Sequence, residues 1–367
     1  MTTTIAKFAH LQIPLEDVVK ATNNFHDDNI IGHGGFGPAY KGQLQRSGKS
    51  IKIAARRLDR KHGEGDIEFW TEISALSDLK HKNLVSLIGF CNEKGEKIII
   101  TTYEVNGSLQ EHLNNPNLTW TQRLKISIGV ARALSYLCYD EGRSYGVIHR
   151  NVNSSTILLD ENWEVKLSGF EISIKQAVNR MDQVILSEPI GTIGYMDPEI
   201  EKTKGVTHKS DIYSFGVILF EILCGRRAYS KNEANRFLAP LAKYHCENET
   251  LPDIIYLDLK NQMSPQSLHI FSNLAYSCLK EQRADRPDTN NIVNELEKAL
   301  EFQLSRENLV RPPYFLFSCD FFYTSSKIYH LKFAFDYKSL NLYTFYNISS
   351  VTIDSSSTSL ILLNVYY

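Results

Sequence analysis

The chain has 367 residues, with 40 Lys plus Arg against 42 Asp plus Glu, a formal net charge of -2, and 43% hydrophobic residues. This is the composition of a globular protein long enough for one two-lobed domain or two ordinary ones, and it excludes an overall basic field for gripping nucleic acid or an anionic membrane surface. Six cysteines, at 91, 138, 224, 246, 278 and 319, form no C-x-x-C pair, a pattern of reduced thiols rather than of a disulfide framework or zinc site.

The opening MTTTIAKFAHLQIPLEDVV lacks the continuous apolar core of a signal peptide, and no uncharged apolar run approaches the roughly 20 residues that span a bilayer. Met1 is followed by Thr rather than Gly, so N-myristoylation is not expected. Any membrane attachment is expected to come through a partner.

In chain order, PLEDVVKATNNF (14–25) places Leu15, Val18, Val19 and Phe25 at near-helical spacing and predicts a short helix. Residues 30–58 alternate β-type runs with glycine-rich turns, in IIGHGGFGPAYKG and SIKIAARRL. Asp66 is placed to cap the helix DIEFWTEISALSDL, whose Ile67, Trp70, Ile73 and Leu76 form one apolar stripe. NLVSLIGFC and EKIIITTYE predict paired strands joined by NEKGE. From Ser108 onward the pattern turns helical. WTQRLKISIGVARALSYLCYD repeats apolar residues at i, i+3, i+4 and i+7, SDIYSFGVILFEILCG is apolar nearly all round, and FSNLAYSCLK and NNIVNELEKALEFQL are amphipathic. The expected class is α+β, a β-rich part followed by an α-rich part with the boundary near YEVNGS.

The end of the chain differs in kind. Residues 313–367 hold 15 of the 37 Phe plus Tyr and no Gly or Glu, and SSVTIDSSSTS is low in complexity. Two readings stand: translated intron or untranslated sequence, or a small β-rich extension packing on the helical part.

GHGGFGPAY sets Gly32, Gly34 and Gly37 at G-x-G-x-x-G spacing, with Gly35 between them; glycine lets backbone approach phosphate closely. A strand follows rather than a helix, which argues against a dinucleotide-binding turn. With ATNNF, EFWTEISALSDLKHKNLVSLIGFC, NGSLQEHL, HRNVNSSTILLDENW, GTIGYMDPE, KSDIYSFGVILFEILCGR and RADRP in order, the chain resembles the plant receptor-like and receptor-like cytoplasmic protein kinases from about Phe8 to Leu304. The resemblance implies the bilobal protein-kinase fold. Its implied limits are an N-terminal segment 1–25, a kinase-like domain 26–303 (lobes about 26–105 and 106–303) and an atypical tail 304–367.

The chemical positions depart from the family pattern. Arg56 stands at the strand lysine that pairs ATP phosphates, with Glu72 as its expected helix partner. Asn151 replaces the general base, Asn153 the catalytic-loop lysine, Thr156 the metal-binding Asn, and Gly169 the magnesium-anchoring Asp. An amide has no useful basicity near neutral pH. Glu171 is the one carboxylate near enough in sequence to be weighed as a substitute metal ligand. The framework positions are retained: His149 and Phe170 for spine packing, Arg150 to organise the activation segment, Asp211 to brace the catalytic loop, and Glu199 with Arg286 as a buried ion pair. Ser187, Thr192 and Tyr195 are candidate phosphorylation sites for another kinase. Thr101, before the hinge residue Tyr103, leaves an adenine pocket sterically open.

Three functional readings follow. The first is a pseudokinase that scaffolds or biases receptor-like kinases, in the cytoplasm or at the inner face of the plasma membrane through such a partner, with weak, magnesium-independent ATP binding. The second is an active serine/threonine kinase using Arg56 and Glu171, and the third a degenerate product with no selected role.

Overall fold

The computed structural model describes residues 6–34, 36–46, 48–58 and 65–310. The tail beyond Val310, subject of both readings above, lies outside the described residues, as does Gly35.

Five antiparallel strands form the first lobe: β1 (Ile30–Gly34), β2 (Gly37–Arg46), β3 (Lys49–Arg57), β4 (Leu87–Glu93) and β5 (Glu96–Thr102), in the spatial order β1-β2-β3-β5-β4. The β4–β5 hairpin turns at Lys94 (φ 50°) and Gly95 (φ 75°), both left-handed, as a two-residue turn matched to strand twist requires. Period-two alternation buries Ile53 and Ala55 of β3 in the lobe core while Ala54 and Arg56 stay half-buried on the other face. Arg56 therefore faces away from the apolar layer.

The helix α1 (Leu15–Ala21) forms where expected, and residues 6–25, of the expected segment 1–25, pack on the first lobe. Phe8 and Val18 are buried, Phe8 among Phe69, Ile73, Phe90 and Ile99, Val18 beside Leu44, Ile53 and Ile98. Ile13 N–H donates to the Phe90 carbonyl at 2.8 Å. The leading chain lies so close to the sheet that a Cβ on Gly42 or Gly89 would meet the carbonyl oxygen of Ala21 at 2.6 Å or of Leu11 at 2.4 Å.

The helix α2 (Gly65–Asp78) buries Phe69, Glu72, Ile73, Ala75 and Leu76. Ile67, expected on the apolar stripe, is 77% exposed, because the buried face is set by Phe69, two residues on and so on the opposite side of the helix. Asp66 sits within the first turn, where its carboxylate pairs with Lys97.

The second lobe is built on α3 (Trp120–Cys138), opened by a Thr119–Gln122 capping box, and α5 (His208–Cys224), all of whose residues are buried. Gly225, with φ 65°, ends α5 in the left-handed conformation that favours glycine. Between them lie β6 (Tyr145–Ile148), the hairpin β7 (Ile157–Leu159) and β8 (Val165–Leu167), β9 (Ile174–Ala177), which pairs with β6, and the short α4 (Pro198–Thr203). Helices α6 (Leu238–Glu247), α7 (Leu257–Lys260), α8 (Pro265–Cys278) and α9 (Thr289–Val310) complete the lobe. The expected boundary after residue 303 falls inside α9, and the compact unit runs to Val310.

Phe8 carries the first test of this architecture. Phe8→Ala is expected to cost about 3 kcal/mol by the burial and cavity it removes. Urea unfolding checks this, and a change within about 0.5 kcal/mol would mark the leading segment as dispensable.

Candidate active-site cleft

The cleft floor is assembled from β3, α2 and the loops after β6 and β8. The Arg56 guanidinium pairs through Nη2 with Glu72 Oε2, as expected, and its Nη1 lies 3.5 Å from Glu171 Oε2. Both carboxylate side chains are 5% exposed, against 22% for Arg56. Glu171 Oε1 accepts a 2.9 Å hydrogen bond from Asn151 Nδ2. Glu171, weighed as a substitute metal ligand, is thus engaged by a guanidinium and an amide.

The loop 149–156 closes on itself. Asn153 Nδ2 donates at 2.9 Å to both the backbone oxygen and Oδ1 of Asn151, and its own Oδ1 accepts from Ser155 N–H at 2.9 Å. Thr192 Oγ1 donates to Asn151 Oδ1 at 2.9 Å. The Thr156 hydroxyl is within reach of the Asn151 and Asn153 carbonyls, at 3.0 and 2.9 Å, so its proton points into the loop.

Gly169 has φ 86°, and a Cβ there would stand 2.7 Å from Thr156 Cγ2. The two positions where the family pattern places metal ligands therefore hold a threonine methyl packed toward a glycine. These residues do not fit a magnesium ion: one side chain is absent and the other's hydroxyl is turned to backbone carbonyls. No group of three or more His, Cys, Asp or Glu side chains suited to a metal ion occurs among the described residues.

The glycine hairpin offers a different kind of evidence. Gly34 pairs with Gly37 across the turn, and Gly37 has φ 118°. A Cβ on Gly32 would meet nothing within 4 Å, and one on Gly34 only the Gly37 carbonyl oxygen at 3.9 Å. Packing inside the fold does not require glycine at either position. Phe36, at the turn, lies with its ring 5.8 Å from the Arg56 guanidinium carbon. Thr101 and Tyr103 are half-buried at the end of β5 and just beyond it.

The framework around the floor is intact. Asp211 accepts the amides of His149 and Arg150 at 2.7 and 2.8 Å, which offsets the strain of Arg150 at φ 68°. Burial raises Asp211 to about 7, against the lowering effect of those two amides. His149 is wholly buried, stacks edge-on with Phe170 at 4.6 Å, and places Nε2 3.0 Å from the Ser168 carbonyl; desolvation lowers its pKa to about 4, so it is neutral at physiological pH. Arg150 reaches the activation segment, donating to the Ile172 carbonyl at 3.0 Å and to Ser187 Oγ at 2.7 Å.

Two expectations require correction. Arg286 is buried, but its partner is Asp197 at 2.7 Å, not Glu199. Asp197 is the N-cap of α4, accepts from Ser210 Oγ and Arg283 Nε at 3.0 Å each, and is fully buried. Burial alone would raise its pKa, but Arg286 and Arg283 more than offset that and hold it below the ordinary carboxylate value. Glu199 lies two residues on, half-buried, 3.5 Å from Arg283. The Asp-Pro-Glu order was the available signal, since Asp before Pro marks a helix N-terminus.

The second correction concerns Tyr195, which is buried 6% exposed with its hydroxyl 2.6 Å from Glu221 Oε1 and 2.9 Å from Ser154 Oγ. A kinase cannot reach that hydroxyl in this conformation. Ser187 is half-buried and Thr192 exposed.

The family profile of protein tyrosine and serine/threonine kinases matches residues 25–296. Among curated proteins of Arabidopsis thaliana, the receptor-like protein kinase ANXUR2 is 42% identical over 294 residues (79% of this chain, 34% of the relative). HERK 1 is 41% identical over 307 residues (82% and 36%) and FERONIA 39% over 297 residues (79% and 32%). The chain spans about a third of the length of these curated relatives.

Two predictions follow from this packing. Gly169→Asp alone is expected to destabilise by about 1–3 kcal/mol through overpacking against Thr156. Thr156→Asn in the same chain should recover part of that loss, and a double-mutant cycle by urea unfolding with no favourable coupling would contradict the contact. The second concerns Glu221, whose Oε2 has no hydrogen-bond partner among the described residues and whose pKa burial raises from 4.5 to about 7. The folded state holds this proton more tightly than the unfolded chain, so stability is lost as pH rises from about 4.5 to about 7. Glu221→Gln removes that loss. Its stability relative to the parent should climb by up to about 1.4 kcal/mol per pH unit across the window, and a flat difference would exclude the assignment.

Proposed function

The chain belongs to the protein kinase family, in its plant receptor-like branch, and from that premise we propose that it acts as a pseudokinase that binds and biases active receptor-like kinases. The observation that carries this reading is the floor of the cleft. Arg56 is committed to Glu72 and Glu171, Asn151 stands at the position of the base, and Thr156 packs toward Gly169 where metal ligands belong. Loss of a general base costs roughly 10²–10⁴ in rate, and loss of the metal ligands removes the charge neutralisation on which phosphoryl transfer depends.

What remains is a surface held in a defined shape. Asp211, the Asp197–Arg286–Arg283 cluster and the His149–Phe170 contact serve packing, not transfer. Such retention suits a protein whose product is a contact. Its partners on this reading are other receptor-like kinases, with Ser187 and Thr192 as the hydroxyls they modify. It works in the cytoplasm and reaches the inner face of the plasma membrane through them. No helix among the described residues is long and apolar enough to cross a membrane.

A slow serine/threonine kinase is the alternative favoured by one observation, the formed Arg56–Glu72 pair. Radiolabelled ATP separates the two. The 367-residue chain with magnesium should incorporate no more label than its Arg56→Met variant. Clear incorporation in the parent that disappears in the variant would establish the kinase and refute the pseudokinase.

A further inference from the structure

We propose that the loop joining α5 to α6 seats the protein directly on an anionic lipid surface. This contact is additional to the partner-mediated route above and independent of whether the cleft transfers phosphate.

Residues 226–237 read RRAYSKNEANRF, with four cations, Arg226, Arg227, Lys231 and Arg236, against the single carboxylate of Glu233. No further acid follows until Glu247. The whole chain carries a formal charge of -2, so this positive charge is local and not a share of a general basic field. The loop is closed on itself. Tyr229 bridges Phe237 at its neck, their rings lie 5.1 Å apart, and the Ser230 amide donates to the Arg236 carbonyl at 2.9 Å. Inside the loop, Arg226 pairs with Glu233 at 2.5 Å and donates to the Asn235 carbonyl at 2.8 Å. The one acid is therefore taken up by the arginine that holds the loop's shape. Arg227, Lys231 and Arg236 are exposed, and none of them pairs with a carboxylate among the described residues.

Apolar surface lies beside these cations. Phe237 is 45% exposed. Gly194 stands so close to Ala228 that a Cβ on it would lie 3.2 Å from the Ala228 carbonyl, which brings Ile193, 63% exposed, to the loop's base. Unpaired cations beside an exposed ring and an aliphatic side chain have the chemistry of an interfacial membrane contact. The cations are drawn to anionic headgroups, and the apolar side chains enter the boundary beneath them. An acidic polypeptide would answer the charge, but it gains most where a strand edge can hold its backbone. The loop offers one bridged pair, Tyr229 with Phe237, too short to take up an added strand.

Co-sedimentation of the 367-residue chain with phosphatidylcholine vesicles, with and without phosphatidylserine, tests this. Binding should appear only with phosphatidylserine and fall steeply as salt is raised. Each cation near the surface is worth roughly fivefold in partitioning, so Arg227→Glu, Lys231→Glu and Arg236→Glu together should lower it by about a hundredfold or more. Phe237→Ala should weaken binding several-fold at unchanged charge. Lys41→Glu, Lys49→Glu and Lys52→Glu together change the net charge equally at exposed positions of β2 and β3, and should cost far less. Equal loss in the two triple variants, no binding by the parent, or binding to neutral vesicles as well as anionic ones would overturn the proposal. So would capture of soluble polyglutamate without vesicle binding, which would mark the face as one for acidic polypeptide. The parent's dependence on phosphatidylserine and salt decides the matter if a variant fails to fold. Label incorporation from ATP would refute the pseudokinase and leave this contact standing.

Discussion

The Arg56 guanidinium joins two buried carboxylates from separate parts of the chain, Glu72 on the helix α2 and Glu171 just past Phe170. Each acid is far too buried to remain charged without a partner, and desolvating an unpaired carboxylate costs several kcal/mol. A planar fork with five donors can serve two acceptors at once, which a lysine ammonium does as a point charge with less directional control. The arginine thereby ties strand, helix and activation segment together.

The second lobe carries its buried charge differently. Asp211 is held by two backbone amides and Asp197 by two arginines, and each arrangement pins a loop whose shape the family needs. These contacts do no chemistry. They keep Arg150 in a left-handed conformation and α4 seated at its N-cap. Buried supports persist beside positions whose residue types depart from the family pattern.

Much of this was legible in the sequence, because each altered group is identified by residue type alone. Asn at the base position lacks basicity wherever it points, and Gly has no ligand atom in any fold. The Arg56–Glu72 pair was also readable, since both residues sit at marked positions of strong motifs. Less legible were contacts chosen among near neighbours. Glu199 and Asp197 are two residues apart, and which of them meets Arg286 depends on which one caps α4. Ile67 fits a helical stripe as well as Phe69 does, until the position of the sheet selects the face. Tyr195 reads as one more hydroxyl in a segment until Glu221, 26 residues on, closes over it.

By itself, then, the sequence indicated the α+β class through composition and periodicity and the kinase family through its motifs, with residues 56, 151, 156 and 169 departing from that family's pattern, because periodicity and residue type are local properties. Only the tertiary structure decided how those losses fit together. Thr156 packs toward Gly169, Asn151 turns its amide to Glu171, and residues 6–25 complete the first lobe's core. Each of these is a contact between residues distant in the chain or turned by backbone geometry, and it exists only once burial has forced every charge and donor to find a partner.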